Sequence, residues 1–321
     1  MGGDGPGRDE GAELSVVAAI GDVPASDWDT CAGSANPFVA HAFLAALEES
    51  GSVGGDSGWH ARHALLRDGA GRLVACAPLY LKAHSQGEYV FDHGWAEAYR
   101  RAGGRYYPKL QLAVPFTPVP GPRLLLRDMS NQDLRAAFAR ALVAFAEASG
   151  VSSLHATFCA PDDIAAFRAA GLAIRTGFQF HWQNRGYADF EAFLAALNHG
   201  KRKAIRKERR EVAASGVELV TLTGDDLEPA HWDAFYGFYI STSDRKWGHP
   251  YLTRAFFDRL HATLRARVVL VLAREGGEWV AGALNLLGTD TLYGRNWGAS
   301  AAHKHLHFEA CYYRALDFAI A

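Results

Sequence analysis

Side chains able to do chemistry concentrate at four places in the 321-residue sequence. The densest runs from His84 to Tyr107, where His84, Ser85, Glu88, Tyr89, Asp92, Trp95, Tyr106 and Tyr107 lead on to Lys109. Carboxylates, a cation and aromatic rings mixed in this way suit a cleft wall, where a few polar groups fix a ligand against apolar faces. The alternative is a long, partly buried connection whose polar groups satisfy one another. Lys201–Arg210 (KRKAIRKERR) carries seven basic residues in ten. Coiled as a helix, the run leaves only Ile205 facing inward. Either it is a solvated face with Glu208 and Glu211 pairing along it, or Lys203, Arg206 and their neighbours contact phosphate, on a nucleotide-type cofactor or on RNA.

The third place is the alternation His303, His305, His307. Zinc would want a fourth ligand and a supporting shell. No other residue has ligand spacing, so no metal is expected, and His305, His307 and Glu309 are candidates for acid–base work at a helix start. The fourth is the strand-like TLYGRNWG, Thr291–Gly298, which leads into LHFEACYYRALDFAI. A strand running into a helix start presents free N–H groups where a pyrophosphate can sit. Gly294 and Gly298 permit close approach of a ligand or backbone. The sequence has no GxGxxG, GxxxxGK[ST], GxSxG or HExxH, so dinucleotide, P-loop, hydrolase and zinc-peptidase readings have no support.

The elements that must position these residues alternate in type, which predicts stacked α and β layers. Apolar spacing predicts helices over Pro37–Ser50, Asn131–Ser149, Pro161–Ala170, Ala188–Leu197, Lys201–Ala214, His231–Thr242, Tyr251–Leu264 and Leu306–Ala321. Strands are expected at His60–Arg67, Arg72–Lys82, Leu154–Phe158, Ala173–Trp182 and Val217–Leu222. Arg267–Arg274, Glu278–Leu287 and Thr291–Trp297 form an antiparallel meander. The plan repeats, which places a domain boundary near Tyr187: residues 14–186 form one domain and residues 187–321 a second.

Composition narrows the class. Apolar residues make up 49% and charged residues 21%, enough to build a core. Thirty-three Lys and Arg against 35 Asp and Glu give a net charge of −2, unlike a polycationic coat for nucleic acid. No apolar run is longer than Val268–Ala273, which is of strand length, so no membrane span is expected. Residues 1–13 are rich in Gly and Asp without an apolar core, and read as a disordered start rather than a secretory signal. Cys31, Cys76, Cys159 and Cys311 are scattered without CxxC spacing, as expected of buried thiols in a reducing, cytoplasmic setting.

Several strings resemble a known family. NPFVAHAFLAALEESGSV, PLYLKAHSQGEYVFDHGWAEAY, YYPKLQLAVPFTPVPGPRLL, RTGFQFHWQN, KRKAIRKER, RKWGHPYLTRAFF, AGALN, LYGRNWG and LHFEACYYRALDFAI occur in that order. From about Asn36 onward the chain resembles the FemAB-like branch of the GNAT N-acyltransferase superfamily. The resemblance implies an α/β fold of α+β mixed sheets, arranged as two tandem GNAT-like domains. It also implies that the second domain is incomplete at its C-terminus, because family members continue past the last helix.

The implied reaction is attack of an amine, on a small molecule or a peptide, upon the carbonyl of an acyl-CoA. In the peptidoglycan-bridge relatives the donor is aminoacyl-tRNA, which Lys203 and Arg206 would then contact. Asn296 and Trp297 would line the donor groove and Tyr293 would protonate the leaving group. His305, His307 and Glu309 would stand near donor phosphates or the nucleophile, and Lys246 and Trp247 would lie in a loop closing over the acceptor. A contrasting reading is a non-catalytic module that binds a cell-wall or amino-sugar ligand through Tyr89, Trp95, Tyr106 and Tyr107.

Overall fold

The computed structural model describes residues 12–245 and 248–321. It divides into two compact units: residues up to Ser34 with Phe38–Arg175, and Ala35–Pro37 with Thr176–Ala321. The fold is mixed α/β, with three four-stranded sheets among the described residues.

The first unit contains strands β1 (Glu13–Val17), β2 (Trp59–Ala61), β3 (His63–Arg67), β4 (Leu73–Ala77), β5 (Leu79–Lys82), β6 (Lys109–Leu112), β7 (Leu125–Leu126) and β8 (Leu154–Ala156). Its helices are α1 (Ala25–Ala32), α2 (His41–Glu49), α3 (His93–Arg101), α4 (Gln132–Ala148) and α5 (Pro161–Ala169). One sheet runs β1-β3-β4-β7 and the other β2-β5-β6-β8. Among the described strands of this unit, β6 and β8 pair in parallel and the other pairs are antiparallel.

Two strands expected from the sequence, His60–Arg67 and Arg72–Lys82, are each broken and feed two sheets. Arg72–Lys82 divides at Pro78, whose ring removes a ladder donor and fixes φ, so β4 pairs with β3 while β5 pairs with β2 and β6. His60–Arg67 divides at Arg62, whose N–H turns to the Leu79 carbonyl at 2.8 Å. The start of the chain also differs from expectation: Glu13 already pairs with Arg67 in β1–β3, and residues 1–11 lie outside the described residues. Asn131 caps α4, accepting the Leu134 N–H at 2.9 Å. The core joins Leu66, Leu79, Leu110 and Leu112 from the sheets to Phe138 and Leu142 of α4.

The second unit contains α6 (Phe190–Ala195), α7 (His199–Ala213), β9 (Glu218–Thr223), α8 (Pro229–Arg245) and α9 (Arg254–Leu264). These are followed by β10 (Val268–Glu275), β11 (Glu278–Leu287), β12 (Leu292–Ala299) and α10 (Leu306–Phe308). A π-helical turn, Glu309–Tyr313, then leads into α11 (Arg314–Ile320). The expected meander is present as an antiparallel sheet ordered β12-β11-β10-β9. Gly276 and Gly277, at φ 59° and 90°, turn β10 into β11, as a two-residue hairpin with both φ values positive requires. Val268–Ala273 is buried throughout, the pattern of a strand covered on both faces.

Ala173–Trp182, expected as a strand, is not one. The segment pairs with no strand among the described residues, and Phe178 and Phe180 are exposed. Alternating apolar residues supply a strand's pattern, but its N–H and C=O groups still need a neighbour to form a ladder. No helix of the described residues is long and apolar enough to cross a membrane.

Candidate active site

Two arrangements of polar side chains stand out, one in each unit. In the second unit, β12 carries a β-bulge. Leu284 faces Asn296 and Asn285 faces Gly294, leaving Arg295 as the extra residue. Bulges re-aim side chains and recur beside active sites. Past the bulge, Trp297 and Ala299 open onto a cavity of about 300 Å³, completed by Thr242, Arg245, Ala301, Ala302, His303, Leu306 and His307. The His307 ring meets Trp297 edge-on, centroids 5.2 Å apart. Arg245 donates to the Ala299 carbonyl at 2.7 Å, which fixes the guanidinium at the cavity rim.

The three alternating histidines therefore part company. His303 and His307 line the cavity, whereas His305, in the left-handed conformation at φ 63°, turns to Glu211 at 3.3 Å. No cluster of metal-ligating residues occurs among the described residues. Asn296 stands beside the bulge with its Oδ1 buried and lacking a hydrogen-bond partner. Tyr293, on the other side of the bulge, is half-buried, and burial raises its phenol above the ordinary range; it is not part of the cavity lining. The close approach at Gly298 is made by protein, since a Cβ there would lie 2.2 Å from the Phe238 carbonyl oxygen of α8.

Glu309 is buried in the π-turn and bound by Arg209 of α7 at 3.1 Å, with Arg314 at 3.6 Å. Burial raises its carboxyl against the pull of Arg209. Arg209 also holds Asp317 at 2.7 Å, so this part of the basic run fastens α7 to the closing helices. Arg206 pairs with Glu191 and Lys207 with Glu211. Lys203 and Arg210 are exposed and take part in none of the described ion pairs. Lys246 and Trp247 lie outside the described residues; Arg245, the last residue of α8, lines the cavity.

In the first unit the structure gathers Glu88, Asp92, Tyr106, Tyr107 and Lys109. Lys109 is fully buried, and its Nζ donates to Asp92 at 2.7 Å, Glu88 at 2.9 Å and Ser85 at 3.0 Å. The Tyr106 hydroxyl donates to Asp92 at 2.8 Å, and Tyr107 shares a hydrogen bond with Ser85 at 2.7 Å. Burial alone would push the Asp92 carboxyl up; hydrogen bonds from Lys109, Ser85 and Tyr106 outweigh it and hold the group below its ordinary range. For Glu88 burial prevails and its carboxyl is raised. Trp95 departs from the cleft-wall expectation: it points into solvent from α3.

Two members of this cluster were not legible in the sequence. Lys82 faces Lys109 across the β5–β6 ladder. Its Nζ lies 3.7 Å from the Trp59 ring centroid, and burial draws it down to about 7. His155 packs edge-on against Tyr106, and burial with the Lys109 charge lowers it to about 4. Only the strand register brings either of them here.

The fold and these sites define a two-unit α/β protein with a bulged sheet edge opening on a cationic and aromatic cavity. The chain belongs to the FemAB-like family, described as peptidoglycan biosynthesis/recognition, whose model matches residues 19–321. Similar solved structures include that of FemX, with a TM-score of 0.51 at 10% identity, covering 93% of this chain and 82% of that one. A conserved protein of unknown function from Bacteroides thetaiotaomicron VPI-5482 gives 0.48 at 14% identity over 92% and 84%. A tandem GNAT protein from the clavulanic acid biosynthesis pathway gives 0.38 at 13% identity over 96% and 85%. The likeness to FemX is one of fold. No curated protein matches the chain.

Proposed function

We propose that the protein is an aminoacyltransferase that forms an amide on an amine of a peptidoglycan-precursor peptide, with aminoacyl-tRNA as donor. The observation that carries this reading is the cavity beside the β12 bulge, where Arg245, His303 and His307 gather against Trp297. The family's description, peptidoglycan biosynthesis/recognition, supports an acceptor of that class. The exposed cations of α7 that take part in none of the described ion pairs, Lys203 and Arg210 among them, offer a face for RNA phosphate.

In this reaction the neutral amine attacks the ester carbonyl, the oxyanion collapses, and the ribose hydroxyl leaves with a proton. Imidazole suits such transfer because its ordinary titration range spans neutral pH. His307 is assigned the proton transfer, Arg245 the charge developing on the carbonyl oxygen, and Trp297 the wall that orients the donor. A second reading keeps the cavity and replaces the donor with acyl-CoA. It is favoured by the same lining, which offers a cation and an aromatic face to a phosphorylated nucleotide.

The test incubates the protein with a UDP-linked muramyl pentapeptide and either charged tRNA or acetyl-CoA, and follows the amide product by mass spectrometry. Product is expected with charged tRNA, falling by roughly 100-fold in His307→Ala. Product from acetyl-CoA alone overturns the donor assignment, and no product from either donor overturns the transfer reading.

A further inference from the structure

α3 follows directly on the buried Asp92, and none of its nine residues is buried. Its outer side and the loop before it carry four exposed rings: Phe91 at 79% exposure, Trp95 at 60%, and Tyr89 and Tyr99 at 48% each. Trp95 and Tyr99 are four residues apart and so share one helix face. The helix ends on Arg100 and Arg101, with Arg105 just beyond, against a single exposed carboxylate, Glu97. Glu97 is 3.9 Å from Arg101; Arg100 and Arg105 take part in none of the described ion pairs.

This exposed element is firmly rooted. Asp92, the residue preceding its first turn, is buried and bound to Lys109 at 2.7 Å and to Tyr106 at 2.8 Å. A buried ion pair is a costly fastening, and here it holds a helix whose own side chains contribute little to the core. Soluble surfaces rarely gather large apolar groups without a partner.

We propose that α3 and the preceding loop form a docking surface for an anionic lipid bilayer. The rings would enter the headgroup boundary, where amphipathic aromatic side chains settle, while Arg100, Arg101 and Arg105 meet the anionic headgroups. Charge complementarity selects this occupant: a second copy would bring the same cations face to face. The helix also presents a convex surface with no buried residue, unlike the groove that receives a peptide. Docking at a membrane surface requires neither donor nor acceptor, so it stands or falls separately from the transfer reaction.

The experiment is flotation of the full chain with vesicles of phosphatidylglycerol and phosphatidylcholine, and with phosphatidylcholine alone. Binding is expected with the anionic vesicles and should weaken as salt rises. Phe91→Ala with Trp95→Ala should lower partitioning by roughly tenfold or more, and Arg100→Gln and Arg101→Gln by about fivefold each. These side chains are exposed, so the variants should keep the wild-type circular dichroism. Absence of binding to anionic vesicles, or equal binding by the aromatic variant, overturns the proposal. Self-association in sedimentation that Trp95→Ala abolishes also overturns it and assigns the face to a second copy.

Discussion

Lys109 is the residue on which the first unit's polar cluster depends. Its ammonium lies within 3.0 Å of Asp92, Glu88 and Ser85, and it is fully buried. Glu88 Oε1 and Asp92 Oδ1 are themselves buried without a hydrogen-bond partner, so losing the lysine would strip Glu88 of its described hydrogen bond and leave Asp92 resting on neutral donors such as Tyr106. Lys109→Met is expected to cost about 3–5 kcal/mol in urea denaturation, the usual result of removing one side of a buried pair. Adding Glu88→Gln and Asp92→Asn should recover part of that loss, because neutral amides tolerate burial far better than lone charges. The sequence grouped Glu88, Asp92, Tyr106, Tyr107 and Lys109 by mixed chemistry alone. Lys82 and His155 escaped it because each looks like an ordinary strand residue until the β5–β6 and β6–β8 registers are known.

At the scale of elements, the contact between β12 and α8 positions the cavity. A Cβ at Gly298 would sit 2.2 Å from the Phe238 carbonyl oxygen and 2.7 Å from the Phe238 Cβ. Backbone cannot yield as a flexible side chain does, so Gly298→Ala must push the helix off the strand. The expected loss is about 1–3 kcal/mol, the usual range for overpacking, measured by thermal unfolding. Gly294→Ala serves as the control, since there the nearest atom is Asn285 Oδ1 at an ordinary 3.6 Å. Strand breaks were also decided at this scale. Pro78 was visible in the sequence, but an apolar stretch continues across it, and periodicity cannot tell one bent strand from two strands serving different sheets.

At the scale of the whole molecule, net charge and local charge say different things. The chain carries −2 overall, yet α7 presents a basic face, part of it already spent on internal pairs. Arg209 is committed to Glu309 and Asp317, and Arg206 to Glu191. If tRNA binds, the cations free to release counterions include Lys203 and Arg210. Each of Lys203→Ala and Arg210→Ala should reduce the slope of log affinity against log salt by about 1, while Arg206→Ala should change it less. Fluorescence anisotropy over a salt series measures the slope. An affinity that does not respond to salt contradicts RNA binding by this face.

What the sequence determined by itself was local: the helices with apolar stripes, the antiparallel meander, the residues able to carry charge or protons, and the strings shared with a family. Each follows from neighbours within a few residues, where φ preference, side-chain period and capping act directly. Only the tertiary structure decided which strands entered which sheet, that Ala173–Trp182 pairs with no strand among the described residues, that His303 and His307 share a cavity while His305 turns away, and that Lys82 meets Lys109. These outcomes depend on strand register and helix packing, set by burial between segments far apart in the chain, and no local pattern encodes the distances involved.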